Sequence, residues 1–122
     1  AKMNAAIQEM EKELNIKIPE FTVGAVKDDG DFYHHWFLGL DDSSNKSEEQ
    51  VADLLDKVLK RKNKNYEVAR SKALKGVRVR LIRAADFQDY NAEKKQKGGQ
   101  VKTPRMMDEE SLAEFENFIK SK

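Results

Sequence analysis

Phe32-Tyr33-His34-His35-Trp36-Phe37-Leu38-Gly39-Leu40 is the most aromatic run in the chain, and its alternation decides what kind of fold the remainder can build. Successive side chains of a strand point to opposite faces. His34, Trp36, Leu38 and Leu40 therefore share one face, and Tyr33, His35 and Phe37 share the other. Just upstream, Asp28-Asp29-Gly30-Asp31 is a turn sequence, and Glu20 to Lys27 mixes β-formers with a glycine after Pro19. Two strands separated by so short a turn predict a hairpin.

Ahead of the hairpin, Met3, Ile7, Met10 and Leu14 fall at helical spacing with charges between them, which predicts a short amphipathic helix ending before Pro19. Beyond it, Asp41 to Lys46 reads as a polar loop. Ser47 with Gln50 three residues on forms a capping box, and Val51, Leu54, Leu55, Val58 and Leu59 make the apolar stripe of the helix it starts. Lys57, Lys60, Arg61 and Lys62 lie on the opposite face or in the last turn, where cations complement the helix dipole. Asn63 to Asn65 breaks this helix, and Tyr66, Ala69 and Arg70 belong to a short one after it.

Gly76 to Arg83 alternates again, with Val77, Val79 and Leu81 toward a core and Arg78 and Arg80 toward solvent or an anion. Residues 86–95 hold Phe87 and Tyr90 on the docked edge of a short helix. Asp108 caps a last helix with Leu112, Phe115, Phe118 and Ile119 as its buried stripe and Glu109 and Glu110 in its first turn. Regular βαβ alternation is missing from this order of elements. It predicts an α+β fold, a small, mainly antiparallel sheet of three to four strands packed against helices, in a single domain over residues 1–122.

A chain of 122 residues, 39% of them hydrophobic, suits one domain with a modest core and leaves no room for a large catalytic domain. The formal net charge of +1 hides strong segregation: residues 1–56 sum to −8, residues 57–105 to +12 and residues 106–122 to −3. A basic middle suits nucleic acid, nucleotide phosphates or an acidic partner, or it faces acidic parts of the same fold. With no cysteine, a disulfide framework and a Cys-ligated metal are excluded. The two histidines are adjacent strand residues that point apart and cannot share a ligand, so no metal site is expected. No apolar run approaches the roughly 18 residues of a membrane span, and no secretory n-region and h-region opens the sequence. Cytoplasmic residence without a membrane partner is the expectation.

The stretch suited to chemistry is Gly98-Gly99-Gln100-Val101-Lys102-Thr103-Pro104-Arg105. Two adjacent glycines allow positive φ, so that successive N–H groups turn toward one anion. Lys102 adds a mobile ammonium and Arg105 a rigid fork matched to carboxylate or phosphate. Pro104 disfavours helix at Thr103 and places the lysine on an extended or turned segment ahead of the last helix. An ordinary solvated loop has the same composition.

Taken in order, Glu20-Phe21-Thr22-Val23, His34-His35-Trp36-Phe37-Leu38, Asn65-Tyr66-Glu67-Val68-Ala69-Arg70, Ala85-Asp86-Phe87 leading to Tyr90, and Gly98 to Arg105 resemble the C-terminal domain of the Gretchen Hagen Three family. These are the auxin-responsive acyl-acid amido synthetases and their bacterial relatives, and the likeness runs over nearly the whole chain. Where relatives often carry glycine before the phenylalanine and tryptophan three residues after it, this chain has Asp86 and Tyr90.

The resemblance implies ATP-dependent acyl adenylation followed by displacement of AMP by an amine or amino acid. A large N-terminal domain holds nucleotide and acid, and the small C-terminal domain rotates over it to bring in a lysine. Lys102 matches that lysine, Gly98, Gly99 and Gln100 would shape the loop, and Arg105 would anchor it or contact phosphate. ATP and Mg2+ are implied only for the complete enzyme. Because no Gly-rich phosphate loop and no room for an acid pocket are present, the chain is expected to be an excised or separately encoded mobile domain, inactive alone, with the large N-terminal domain as its partner. A basic nucleic-acid-binding module or a protein-interaction module is the alternative, with Arg78, Arg80, Arg83 and Lys60 to Lys64 tracking an anionic surface. The aromatics lie mostly at core-facing positions outside the basic run, which makes nucleic acid the weaker reading.

Overall fold

Asp29 and Gly30 both adopt positive φ, +53° and +84°, the pairing that a two-residue hairpin turn requires. They join β1 (Glu20–Asp28) to β2 (Asp31–Leu40) in an antiparallel register running from Glu20 opposite Gly39 to Asp28 opposite Asp31. The computed structural model describes residues 2–41, 46–96, 98 and 103–122. Among these, the remaining elements are α1 (Lys2–Leu14), α2 (Glu48–Lys62), α3 (Lys64–Lys72), β3 (Leu74–Arg83), α4 (Ala84–Gln96), β4 (Met106–Met107) and α5 (Glu109–Lys120).

The strands form one sheet in the order β3-β2-β1-β4. The α+β class is as expected from the sequence, but the pairing differs from the mainly antiparallel sheet expected there. β2 and β3 run parallel, as do β1 and β4, so that the hairpin supplies the one antiparallel pair. A parallel return needs a crossover of a dozen or more residues. The α2–α3 segment between β2 and β3 provides one, and a single crossover of this kind leaves no regular alternation for sequence reading to detect.

Both faces of the sheet are covered. On one, Phe21, Val23, Trp36, Leu38 and Val79 pack against Ile7, Met10, Val51, Leu55, Val58 and Tyr66 of α1, α2 and α3. On the other, Phe37 packs with Phe87, Tyr90, Leu112, Phe115 and Ile119 of α4 and α5. The register explains the split, because Val23, Trp36 and Val79 are neighbours across three strands and their side chains point the same way. Gly39 belongs to the second face, and a Cβ there would lie 2.8 Å from Phe87 and 3.1 Å from the Ala84 backbone. Bareness at this position is what lets α4 settle directly on the sheet.

Helix boundaries follow their capping chemistry. Ser47 and Gln50 make the reciprocal capping box of α2. Asn63 closes α2 through its N–H to Leu59 O, and its side chain then accepts from the N–H groups of Asn65 and Tyr66 to open α3. Asp108 accepts from the Ser111 N–H, 2.7 Å away, to start α5.

Part of the charge segregation is resolved within the fold. Arg61 and Lys62 of α2 meet Glu13 and Glu9 of α1, Arg78 meets Asp28, Arg80 approaches Glu48, and Arg83 meets Asp86. Exposed pairs such as Arg61–Glu13 and Arg78–Asp28 each add less than about 1 kcal/mol. The pairs engage Arg61, Lys62, Arg78, Arg80 and Arg83, five of the basic side chains that a nucleic-acid surface would have used. His34 lies beside Tyr66, while His35 stacks on Phe37 at 4.7 Å between centroids. Burial lowers the pKa of both, and they point to opposite faces of the sheet.

Candidate functional site

The end of the Gly98–Arg105 stretch is fastened to the sheet edge. Arg105 O accepts from the Val23 N–H at 2.9 Å, and Pro104 O accepts from the hydroxyl of Thr22 at 2.8 Å. Met106 and Met107 continue as β4 alongside Val23 and Gly24. Gly24 makes this approach feasible, because a Cβ there would sit 2.9 Å from both Met107 O and the Leu112 side chain. Thr103 is held from the other side, its hydroxyl donating to Asn91 Oδ1 of α4 at 2.6 Å.

Gly98 has φ +81° and donates its N–H to Lys95 O at 3.1 Å, the left-handed ending that glycine permits after a helix. Arg105 lays its guanidinium over the Phe21 ring, 4.3 Å from the centroid. The same group donates to the Glu20 carboxylate and to Phe21 O, each at 3.2 Å. It thus ties the root of the stretch to β1, with 42% of its side chain still exposed. Gly99, Gln100, Val101 and Lys102 lie outside the described residues.

Beside this root is a pocket of about 290 Å³ walled by Tyr90, Asn91 and Lys94 of α4, Thr103 and Pro104, Met106 and Met107, and Asp108 and Ser111 at the start of α5. Its rim carries both signs of charge. Lys94 reaches Glu114 at 2.5 Å, and the Tyr90 hydroxyl donates to the same carboxylate at 3.2 Å. Tyr90 also meets Phe115 and Phe118 edge-on, so its ring serves the core while its oxygen faces the rim. Asp86 is buried at the start of α4, where it accepts from the Arg83 N–H and guanidinium and pairs with Lys122.

Asn65-Tyr66-Glu67-Val68-Ala69-Arg70 performs a different task. Tyr66 and Arg70, four residues apart on one helical face, both engage Asp56 of α2: the phenol donates at 2.5 Å and the guanidinium at 2.8 Å and 3.3 Å. Arg70 also donates to Leu74 O and Lys75 O, joining α2, α3 and the start of β3. Burial pushes the Asp56 carboxyl up, but the hydrogen bonds from Arg70, Tyr66 and Lys60 outweigh it and hold the pKa at about 2, below its ordinary 3.8. Burial and the neighbouring carboxylate raise the Tyr66 phenol.

A carboxylate depressed by folding stabilises the native state above its unfolded pKa and loses that contribution as pH falls through the folded one. Asp56 is therefore expected to contribute about 1–2 kcal/mol at neutral pH, after allowance for solvent screening. Urea titrations should show Asp56→Ala less stable than the parent by that amount at neutral pH. The gap should narrow from pH 3.8 down to about 2. A gap independent of pH would mean that the pairing does not stabilise the fold.

Residues 1–111 match the family model described as the GH3 family C-terminal domain. The chain belongs to the GH3 family. Among solved structures, this GH3 C-terminal domain is similar to a GH3.15 acyl acid amido synthetase, with a TM-score of 0.75 and 14% identity. The likeness covers 98% of this chain and 23% of that one, so the GH3 C-terminal domain corresponds in fold to under a quarter of the synthetase. Comparison with curated proteins gave no match.

Sequence reasoning marked Gly98 and Arg105, which bracket the stretch, and quoted Glu20 and Thr22 within a family segment without linking them to it; Asn91, which also fastens it, was not singled out. Thr22 contacts a residue 82 positions away, a distance across which neither period nor spacing carries a signal. No helix among the described residues is long and apolar enough to cross a membrane.

Proposed function

We propose that this domain is the mobile C-terminal part of an ATP-dependent acyl-acid amido synthetase, supplying Lys102 to a site on a large N-terminal domain and inactive without it. The observation that carries this reading is the family match, which runs through the whole of Gly98–Arg105. The structurally similar protein is an acyl acid amido synthetase of which this chain covers only a small share, and both facts agree with the reading.

The chemistry is adenylation of a carboxylic acid by ATP with release of pyrophosphate, then attack by an amine with release of AMP. A carboxylate approaching an α-phosphate brings two anions together. A fixed ammonium beside them offsets the charge that accumulates as they meet, and closure of the small domain keeps water from a hydrolysable adenylate. In this reading Lys102 is the catalytic residue, Gly98, Gly99 and Gln100 shape its loop, and Arg105 anchors it through Glu20 and Phe21.

The pocket beside the root is small for a nucleoside triphosphate. Its volume of about 290 Å³ falls just below the range of about 300–1,000 Å³ for small-molecule sites, Asp108 stands in its wall, and Lys94, also in the wall, is paired with Glu114. In this reading nucleotide, Mg2+, acid and amine belong to the large domain, in the same or a separate chain.

The reading is tested by reconstitution. The large domain alone, given ATP, Mg2+ and its acyl acid, should release pyrophosphate at least about 100-fold more slowly than in the presence of this domain. Full activity from the large domain alone would overturn the proposal.

A further inference from the structure

We infer that Asn91 and Thr22 are positioning residues that fix where the chain goes immediately after Lys102, an inference resting on the role just proposed for that lysine. Thr103 is the next residue, and its hydroxyl is bound to Asn91 Oδ1 at 2.6 Å. Pro104 O is bound by the Thr22 hydroxyl at 2.8 Å, and Arg105 O by the Val23 N–H at 2.9 Å. Three consecutive residues are thus held in turn by α4 and β1. Upstream, Gly98 ends the same helix that bears Asn91. Both ends of the segment containing Lys102 are consequently referred to α4, and its downstream end to the sheet as well.

The two residues divide between rigidity and economy of structure. Thr22 is fully buried, on a strand where valine would fill the same volume, yet its hydroxyl is directed to a loop carbonyl. Asn91 belongs to neither apolar cluster and is half-buried, so its loss leaves no large core cavity. What its loss removes is the tie on the residue next to the ammonium. For a group that must meet two anions at hydrogen-bond range, displacement of about 1 Å costs on the order of 100-fold in rate. Delivery from a fixed root is thereby distinguished from delivery on a loose tether.

Limited trypsinolysis of the protein followed by mass spectrometry tests the inference without requiring knowledge of the acyl acid. Trypsin must draw Thr103 into an extended conformation to cut after Lys102, so Asn91→Ala should raise cleavage of that bond by about tenfold or more while other sites and the melting temperature stay as in the parent. Asn91→Asp, which keeps an acceptor for Thr103, should restore the parent rate. Thr22→Val should reproduce the selective increase, and Thr22→Ser should not. A uniform rise at all sites, an unchanged rate in both Asn91→Ala and Thr22→Val, or failure of the conservative variants to rescue would overturn the inference. Because cleavage reports anchoring and pyrophosphate release reports the lysine's chemistry, failure of one reading is separable from failure of the other.

Discussion

Phe115→Ala is expected to cost about 3–5 kcal/mol of stability, a large fraction of the roughly 5–15 kcal/mol that holds a domain of this size folded. Phe115 is fully buried, and its ring meets Phe37 at 5.1 Å, Phe87 at 5.1 Å and Tyr90 at 4.9 Å between centroids. Those three partners come from β2 and α4, so one side chain of α5 joins the helical layer to the sheet and its two helices to each other. Truncation removes the buried area and the edge-on contacts together. Backbone collapse is opposed by Gly24 and Gly39, where helices already approach the sheet as closely as they can. Urea unfolding followed by circular dichroism should show a midpoint shift for Phe115→Ala much larger than for Phe118→Ala, whose ring is only partly buried. Equal shifts would mean that this layer is not organised around Phe115.

The consequence reaches the candidate site, because α5 begins at the pocket and Leu112 touches the position of Gly24 beneath β4. A variant loosened in this layer should lose the β1–β4 pairing before it loses α1 and α2, which pack on the opposite face. The two faces share β2, where Trp36 serves one and Phe37 the other. Adjacent residues of one strand therefore couple two separate cores.

This double service explains what was legible in the sequence. Trp36, Phe37 and Leu38 announced a strand, and Ser47, Gln50 and Asp108 announced helix starts, because alternation and capping are local and leave a residue-level pattern. Strand direction left none. β3 alternates well enough to be recognised, but Val77, Val79 and Leu81 would read the same whichever way the strand ran. The two-residue β4 is too short for any period to register, and its seating depends on Gly24 and on Thr22, which binds the Pro104 carbonyl just ahead of it, more than eighty positions upstream. Tyr66 and Arg70 stood out as part of a family segment, yet their shared partner Asp56 lies on another helix. Arg105 was marked for its fork, and the fork grips Glu20 and the Phe21 carbonyl, a pairing set by the register of the sheet edge and invisible to local spacing.

Lys102→Ala in the assembled synthetase is expected to lower kcat for pyrophosphate release by about 100–1,000-fold, the range observed when one preorganised charge or donor is removed from a reacting centre. The KM for ATP should change little, since in the proposed function the nucleotide belongs to the large domain and the lysine acts mainly as charge develops. Arg105→Ala offers the contrast. Its guanidinium is engaged with Glu20, Phe21 O and the Phe21 ring, so its loss should loosen the root of the stretch and reduce kcat by a smaller factor, about tenfold. Lys102→Arg separates charge from shape: a broad planar fork cannot occupy the place of a compact ammonium, and recovery should be slight. Single-turnover measurement with preformed acyl-adenylate locates the defect. Amide formation from that intermediate should be affected less than its synthesis, because the two anions meet in the first half-reaction. If Lys102→Ala forms the adenylate at the parental rate, charge delivery from this domain is not what drives the chemistry.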